Sequence, residues 1–173
     1  FNSDNNTITN NAVIYSSSGI FLGSSNYNLI YNNFFNNPSG GAGGNAWDNG
    51  VNFWNITRTP GVNIVGGPYL GGNYWHDYTG NDLDGDGIGD TNLPYNNTGQ
   101  IQSGGDWLPL VSPNTAVTSV ITNKTAVGQG YSLNINIAVA NYCNYAVTLS
   151  VTVYANTTII QTQAVVLTNR TST

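Results

Sequence analysis

Asn6-Thr7-Ile8-Thr9-Asn10-Asn11 returns 22 residues later as Asn28-Leu29-Ile30-Tyr31-Asn32-Asn33, and Val13 after the first copy is matched by Phe35 after the second. Between the copies Ile20 and Leu22 flank Phe21, so each repeat carries short strands with an aliphatic residue at every second position. Coils of this length, made of short strands bounded by Asn, Ser and Gly, suit a parallel β-helix, in which each rung stacks on the next. Asparagines at equivalent turns then lie above one another and can hydrogen-bond along the stack as a ladder. The repeat therefore predicts Ile8, Val13, Ile20, Leu22, Ile30 and Phe35 facing inward, with Asn10 over Asn32. Asn-rich disorder would need neither Ile8 and Ile30 in register nor four Trp and eleven Tyr.

Beyond Asn37-Pro38 the period gives way to Ser39-Gly40-Gly41-Ala42-Gly43-Gly44, read as a loop between rungs, and strand-like material resumes at Val51–Trp54 and Val62–Val65. Gly66-Gly67-Pro68 and Gly71-Gly72 mark tight corners. From Ala116 the texture changes. Leu133, Ile135, Ile137 and Val139 alternate with polar residues, as do Val147, Leu149, Val151 and Val153. With 116–121 and 159–167 this predicts about four antiparallel strands, where an immunoglobulin-like sandwich uses about seven. Pro109, Pro113 and the polar 112–115 stretch read as a linker. The expected fold is all-β: parallel β-helix rungs over 1–80, a calcium-binding closing loop and linker over 81–112, and an incomplete immunoglobulin-like β-sandwich over 113–173. Phe1 enters a rung without an obvious cap, so both ends are expected to expose strand edges that another chain could pair with.

Only 6% of the 173 residues are charged, against about 25% in an ordinary soluble domain. There is no Met or Glu and one His, while 29 Asn, 19 Thr and 13 Ser leave solvation to amides and hydroxyls. Arg58, Lys124 and Arg170 are the whole basic complement, too few for phosphate neutralisation, which excludes nucleic acid and anionic membrane surfaces as partners. No apolar run approaches the roughly 20 residues of a membrane span, and the opening residues lack the regions of a signal peptide. Cys143, alone in the chain, cannot close an intrachain disulfide.

The net charge of −5 is local: Asp82, Asp84, Asp86 and Asp90 are four of the eight carboxylates, and without them it is −1. In Asp82-Leu83-Asp84-Gly85-Asp86-Gly87-Ile88-Gly89-Asp90 the acids alternate, with glycines that let the backbone curl until oxygens converge. The spacing matches positions 1, 3, 5 and 9 of an EF-hand loop, including Gly at position 6, but Leu93 stands where the bidentate Glu belongs. A helix-free loop binding Ca²⁺ through Asp82, Asp84, Asp86, Ile88 and Asp90 is expected. Asp77, Asp106 or a backbone carbonyl would complete the shell, and calcium is favoured over the geometrically stricter magnesium.

The block Gly71-Gly72-Asn73-Tyr74-Trp75-His76-Asp77-Tyr78-Thr79-Gly80, the aspartate loop after it, and Asp106-Trp107-Leu108-Pro109-Leu110 resemble the closing segment of NosD-like β-helix proteins of archaeal cell surfaces. The tail from Ala116 to Thr168, with Gly128-Gln129-Gly130-Tyr131, is similar to CARDB-type adhesion modules, which are immunoglobulin-like. The resemblance implies an extracellular or cell-surface location. The NosD name suggests copper, but copper sites want His, Met or Cys ligands, and the chain offers His76 and Cys143.

Catalysis is not expected. Asp48 and Asp77 are the carboxylates outside the loop and termini with aromatic neighbours, and Arg58 is the one basic residue before the linker, too little for a glycosidase pair or a lyase base. Trp47, Trp54, Tyr69, Tyr74, Trp75 and Tyr78 could stack on sugars, although packing between rungs is the stronger expectation. Sequons at Asn5, Asn55, Asn96, Asn123, Asn156 and Asn169 would accept glycans in a secreted chain. The reading is a noncatalytic, calcium-stabilised structural or adhesion protein that self-associates through strand edges. The alternative is a β-helix that binds or processes a surface polysaccharide.

Overall fold

The computed structural model describes residues 2–38, 44–125, 128 and 131–170. Phe1, the 39–43 part of the expected loop and residues 129–130 of the tail motif lie outside this set. Among the described residues all regular structure is β apart from one 3₁₀ turn, Asn97–Gly99, and the chain divides into two compact units, Phe1–Ser112 and Pro113–Thr173.

In the first unit β1 (Thr7–Thr9), β2 (Ala12–Ile14) and β3 (Ile20–Leu22) make one rung; β4 (Leu29–Tyr31), β5 (Phe34–Asn36) and β6 (Ala46–Asp48) make the next. The rungs pair in parallel, strand on equivalent strand, with Ile8 opposite Ile30 and Val13 opposite Phe35, at the 22-residue offset of the repeat. The third pair, Ile20 opposite Ala46, has a longer offset because the 39–44 segment intervenes. The strands β7 (Thr59–Pro60) and β8 (Tyr69–Leu70) form an antiparallel hairpin, and β9 (Tyr74–Trp75) extends the β2–β5 sheet, Phe34 opposite Tyr74.

The inside of the stack holds Leu22, Ile30, Phe35, Ala46, Trp54, Trp75, Tyr95 and Ile101, with Ile8, Val13 and Ile20 half-buried against them. All six residues expected to face inward do so. Asn10 and Asn32 lie one over the other: Nδ2 of Asn32 donates to Oδ1 of Asn10 at 2.6 Å, and both residues take left-handed φ, 61° and 53°. Aromatic rings repeat the stacking, Phe35 on Trp75 at 4.6 Å, Trp75 on Tyr95 at 4.5 Å and, on the outside, Phe21 on Trp47 at 4.4 Å. Each such pair adds about 0.5–1.5 kcal/mol beyond its buried area.

Two expectations about strands need correction. Val51–Trp54 stacks on the preceding rung through one bridge, Leu29 opposite Phe53, rather than as a full strand. Val62–Val65 is not a strand, because Oδ1 of Asn63 accepts from the backbone N–H of Val65 and Gly67 and curls the chain into a turn.

The second unit consists of two antiparallel hairpins, β10 (Thr115–Thr122) with β11 (Ile135–Asn141) and β12 (Val147–Ala155) with β13 (Thr158–Leu167). Val139, Ala140, Cys143, Val147 and Leu167 are buried. Farther along, Ile135, Ile137, Val151, Val153 and Val165 line an open hollow of about 460 Å³.

Candidate functional site

Three files of asparagine run along the stack, and each stops at an aspartate. Nδ2 of Asn6 donates to Oδ1 of Asn28 at 2.9 Å, Asn28 to Asn52 at 3.0 Å, and Asn52 to Oδ1 of Asp48 at 2.8 Å. Asn11 donates to Asn33 and Asn33 to Asn73, both at 3.0 Å, and Asn73 reaches Oδ2 of Asp106. Asn37 donates to Asn45 at 3.2 Å and Asn45 to Oδ1 of Asp77 at 2.7 Å. An amide inside such a file both gives and receives, but the last one needs a group that only receives. A carboxylate is that group.

Asp48 and Asp106 are fully buried. Asp48 accepts from the Gly50 N–H, Asn52 and the Trp54 indole; Asp106 accepts from the N–H groups of Asn73 and Leu108 and the Trp75 indole. Burial pushes the Asp106 carboxyl up to about 7, while its backbone and indole donors pull the other way. A Cβ on Gly72 would fall onto this carboxylate, so close approach of the backbone requires glycine there. Asp106 is therefore a ladder end, and the expectation that it completes a cation shell is corrected: its oxygens face N–H donors.

Three of the loop acids converge. One oxygen each of Asp82, Asp84 and Asp86 lie within 4.8 Å of one another, the one group of three or more His, Cys, Asp or Glu among the described residues that could hold a metal. Asp82 shapes the turn by accepting from the backbone N–H of Gly85, Asp86 and Gly87 at 2.7–3.0 Å, and Gly87 takes φ 88° where position 6 demands it. Asp90 stands outside this group, with Oδ2 holding the Leu83 N–H at 2.7 Å. Ile88 is buried, and its N–H donates to Oδ1 of Asp86.

Asp86 also pairs with Arg58, whose guanidinium lies 4.4 Å over the Tyr69 ring. Burial raises the Asp86 pKa, the neighbouring Asp84 and Asp82 add to the rise, and Arg58 opposes it. Sequence reasoning missed this partner: Arg58 was legible only as an isolated base 28 residues away. The loop is joined to the stack through Leu110, which bridges antiparallel to Ile88 and parallel to Tyr74.

The other candidates separate. Asp77 is half-exposed and Asp48 fully buried, each at the end of its own ladder. His76 places Nδ1 3.0 Å from Nδ2 of Asn45. Cys143 is a buried free thiol in the second unit. Trp54 and Trp75 are core residues, whereas Trp107 is 54% exposed. The sequon asparagines Asn5, Asn96, Asn123, Asn156 and Asn169 are exposed and Asn55 half-buried.

No helix of the structure is long and apolar enough to cross a membrane, among the described residues. No curated protein and no solved structure matches the chain. Residues 1–80, which carry the stacked rungs and the GGNYW block, match the family model described as Periplasmic copper-binding protein (NosD), and over that stretch the chain is similar to that family.

Proposed function

We propose that this chain is a noncatalytic structural segment of an extracellular or cell-surface protein: rungs of a parallel β-helix, a closing loop braced by Ca²⁺, and an adhesive module of immunoglobulin type. The periplasmic description of the matched family supports a location outside the cytoplasm. The observation that carries the reading is the use of the carboxylates. Asp48 and Asp106 are saturated by backbone, amide and indole donors as ladder ends, which favours a scaffold over an acid–base site. Asp82, Asp84 and Asp86 converge instead beside the closing segment.

The copper of the family's description does not fit the residues here. The one imidazole, His76, has Nδ1 against the Asn45 amide, the one thiol is buried in the second unit, and the converging donors are all carboxylate oxygens, which suit a hard cation. A Ca²⁺ on these oxygens would add fixed positive charge where Arg58 alone now opposes three acids. Through Ile88 and Leu110 it would tie the loop to rung strand β9. The open hollow of the second unit, lined by aliphatic residues together with Asn136, Gln161 and Gln163, and the edges of its two-stranded sheets support self-association as the means of assembly.

Isothermal titration of the apo protein with CaCl₂ tests this reading. One bound Ca²⁺ per chain, lost in Asp84→Asn, is the expected result; heat from Cu²⁺ but none from Ca²⁺ would overturn it. A carbohydrate-binding scaffold is the second reading, favoured by exposed Trp107 and Phe53, and a polysaccharide titration monitored by tryptophan fluorescence addresses it.

A further inference from the structure

The asparagines of the first two ladders obey a positional rule that the sequon violates. Two positions after Asn6, Asn11, Asn28, Asn33, Asn52 and Asn73 stand Ile8, Val13, Ile30, Phe35, Trp54 and Trp75, all turned into the core or packed against it. The same position of an N-linked acceptor must be Ser or Thr. A ladder asparagine followed by Thr at that place would put a hydroxyl among Trp and Ile side chains, so these ladders and glycan acceptors draw on separate asparagines.

The six sequons divide by how their Nδ2 atoms are engaged. Asn5 and Asn156 are exposed residues at left-handed φ, 60° and 54°, with no side-chain hydrogen bond among the described residues. Asn96 and Asn123 are exposed and, among the described residues, use only Oδ1, which accepts from the N–H of Gly99 at 3.2 Å and of Asn134 at 3.0 Å. Asn55 differs. It is half-buried, its Oδ1 accepts from the Trp107 N–H at 3.1 Å and its Nδ2 donates to the Ile56 carbonyl at 3.3 Å. The Asn169 sequon ends at Thr171, outside the described residues.

We propose that Asn5, Asn96, Asn123 and Asn156 are N-glycosylation sites of the folded protein and that Asn55, despite its sequon, is not. The assignment rests on the extracellular reading for its place in the cell, but the acceptor chemistry is a property of the folded chain. In the transfer, Nδ2 attacks the anomeric carbon of a polyprenyl diphosphate-linked oligosaccharide. A C–N bond forms as the C–O bond to diphosphate breaks, Nδ2 gives up one proton, and polyprenyl diphosphate leaves. An Nδ2 that faces solvent can reach the donor, whereas that of Asn55 points at a backbone carbonyl while Trp107 holds its Oδ1.

The folded full chain is incubated with a purified single-subunit oligosaccharyltransferase and its lipid-linked oligosaccharide, and glycopeptides are mapped by mass spectrometry. Asn156→Gln serves as the control that one mass increment belongs to one site. Modification of at least three of the four, with Asn55 bare, is expected. Modification at Asn55, or at two or fewer of the four, would overturn the assignment. Because the enzyme is supplied, this outcome is independent of where the native protein resides, which cell fractionation decides separately.

Discussion

The backbone N–H of Asn73 lies 2.7 Å from Oδ2 of Asp106, a carboxylate 33 positions later in the chain and fully buried. The same oxygen receives the Trp75 indole at 2.9 Å, so one side chain ends an amide ladder, anchors a core aromatic and fixes the closing segment to the last rung. Asp48 repeats the arrangement with Asn52 and Trp54. The polarity of the files explains the residue type. Asn6, Asn11, Asn28, Asn33, Asn37 and Asn45 each donate to an amide or carboxylate oxygen later in the chain, and an ionised carboxylate at the end of a file accepts without offering a hydrogen.

Asp106→Asn keeps the shape and removes this property. Its Nδ2 would have to face the Leu108 N–H, or else Asn73 and the Trp75 indole, and leave a buried donor unpaired. The loss is expected to be about 1–3 kcal/mol. Urea unfolding of the variant should show a lower midpoint at an unchanged slope, and an unchanged midpoint would count against the ladder-end role.

The pH dependence has a definite sign. Burial pushes the Asp106 carboxyl up to about 7 in the folded protein, against about 4 in the unfolded chain, so between these values the native state is expected to bind the extra proton. Because the cost of burying the ionised carboxylate outweighs the gain from its N–H donors, its contribution to stability is greatest below about pH 4 and declines as pH rises to about 7, with a slope approaching about 1.4 kcal/mol per pH unit. Unfolding free energies of wild type and Asp106→Asn at pH 4.5, 6 and 7.5 isolate this contribution. The wild type should lose more than the variant over that interval, and a larger loss in the variant contradicts the burial argument.

Core packing of the rung is tested at Ile30, which is fully buried opposite Ile8. Ile30→Ala is expected to cost about 2–5 kcal/mol through lost burial and a cavity. Ile30→Asp, an unpaired charge in the stack, should abolish the cooperative transition seen by circular dichroism.

Calcium should raise the melting temperature and a chelator lower it. At about 100 times the dissociation constant, a ligand specific to the native state adds about 2.7 kcal/mol. Asp82→Asn should remove the response twice over, because Asp82 both belongs to the converging group and holds the turn through three N–H groups. A chelator-insensitive melting curve in the wild type would contradict the brace.

The rung register was legible because hydrophobic alternation and Asn pairs recur at one spacing, and Ile8 opposite Ile30 follows from that alone. The ladders were legible as an idea but not in their endings. Asp48 and Asp106 look in sequence like candidates for catalysis or a cation shell, because nothing local says that Trp54 and Trp75 turn their indoles toward them. The acidic loop was visible in its alternation, and the Asp82–Asp84–Asp86 group emerges from it, while Asp90 lies outside that group with one of its oxygens on the Leu83 N–H. Arg58 was invisible as a partner, since a contact across 28 residues depends on where the β7–β8 hairpin lies. Val62–Val65 misled because Asn63 turns an apolar-looking run into a corner.

Hydrogen exchange at the tryptophan indoles, followed in ¹H–¹⁵N spectra, tests the carboxylate-ended ladder most directly. Trp54 and Trp75 donate into buried carboxylates, whereas Trp107 is exposed. The account predicts two indole protons that exchange only on the timescale of opening the stack, shifted by Asp48→Asn and Asp106→Asn respectively, and a rapidly exchanging Trp107. Indoles of Trp54 and Trp75 that exchange as fast as that of Trp107 would contradict it.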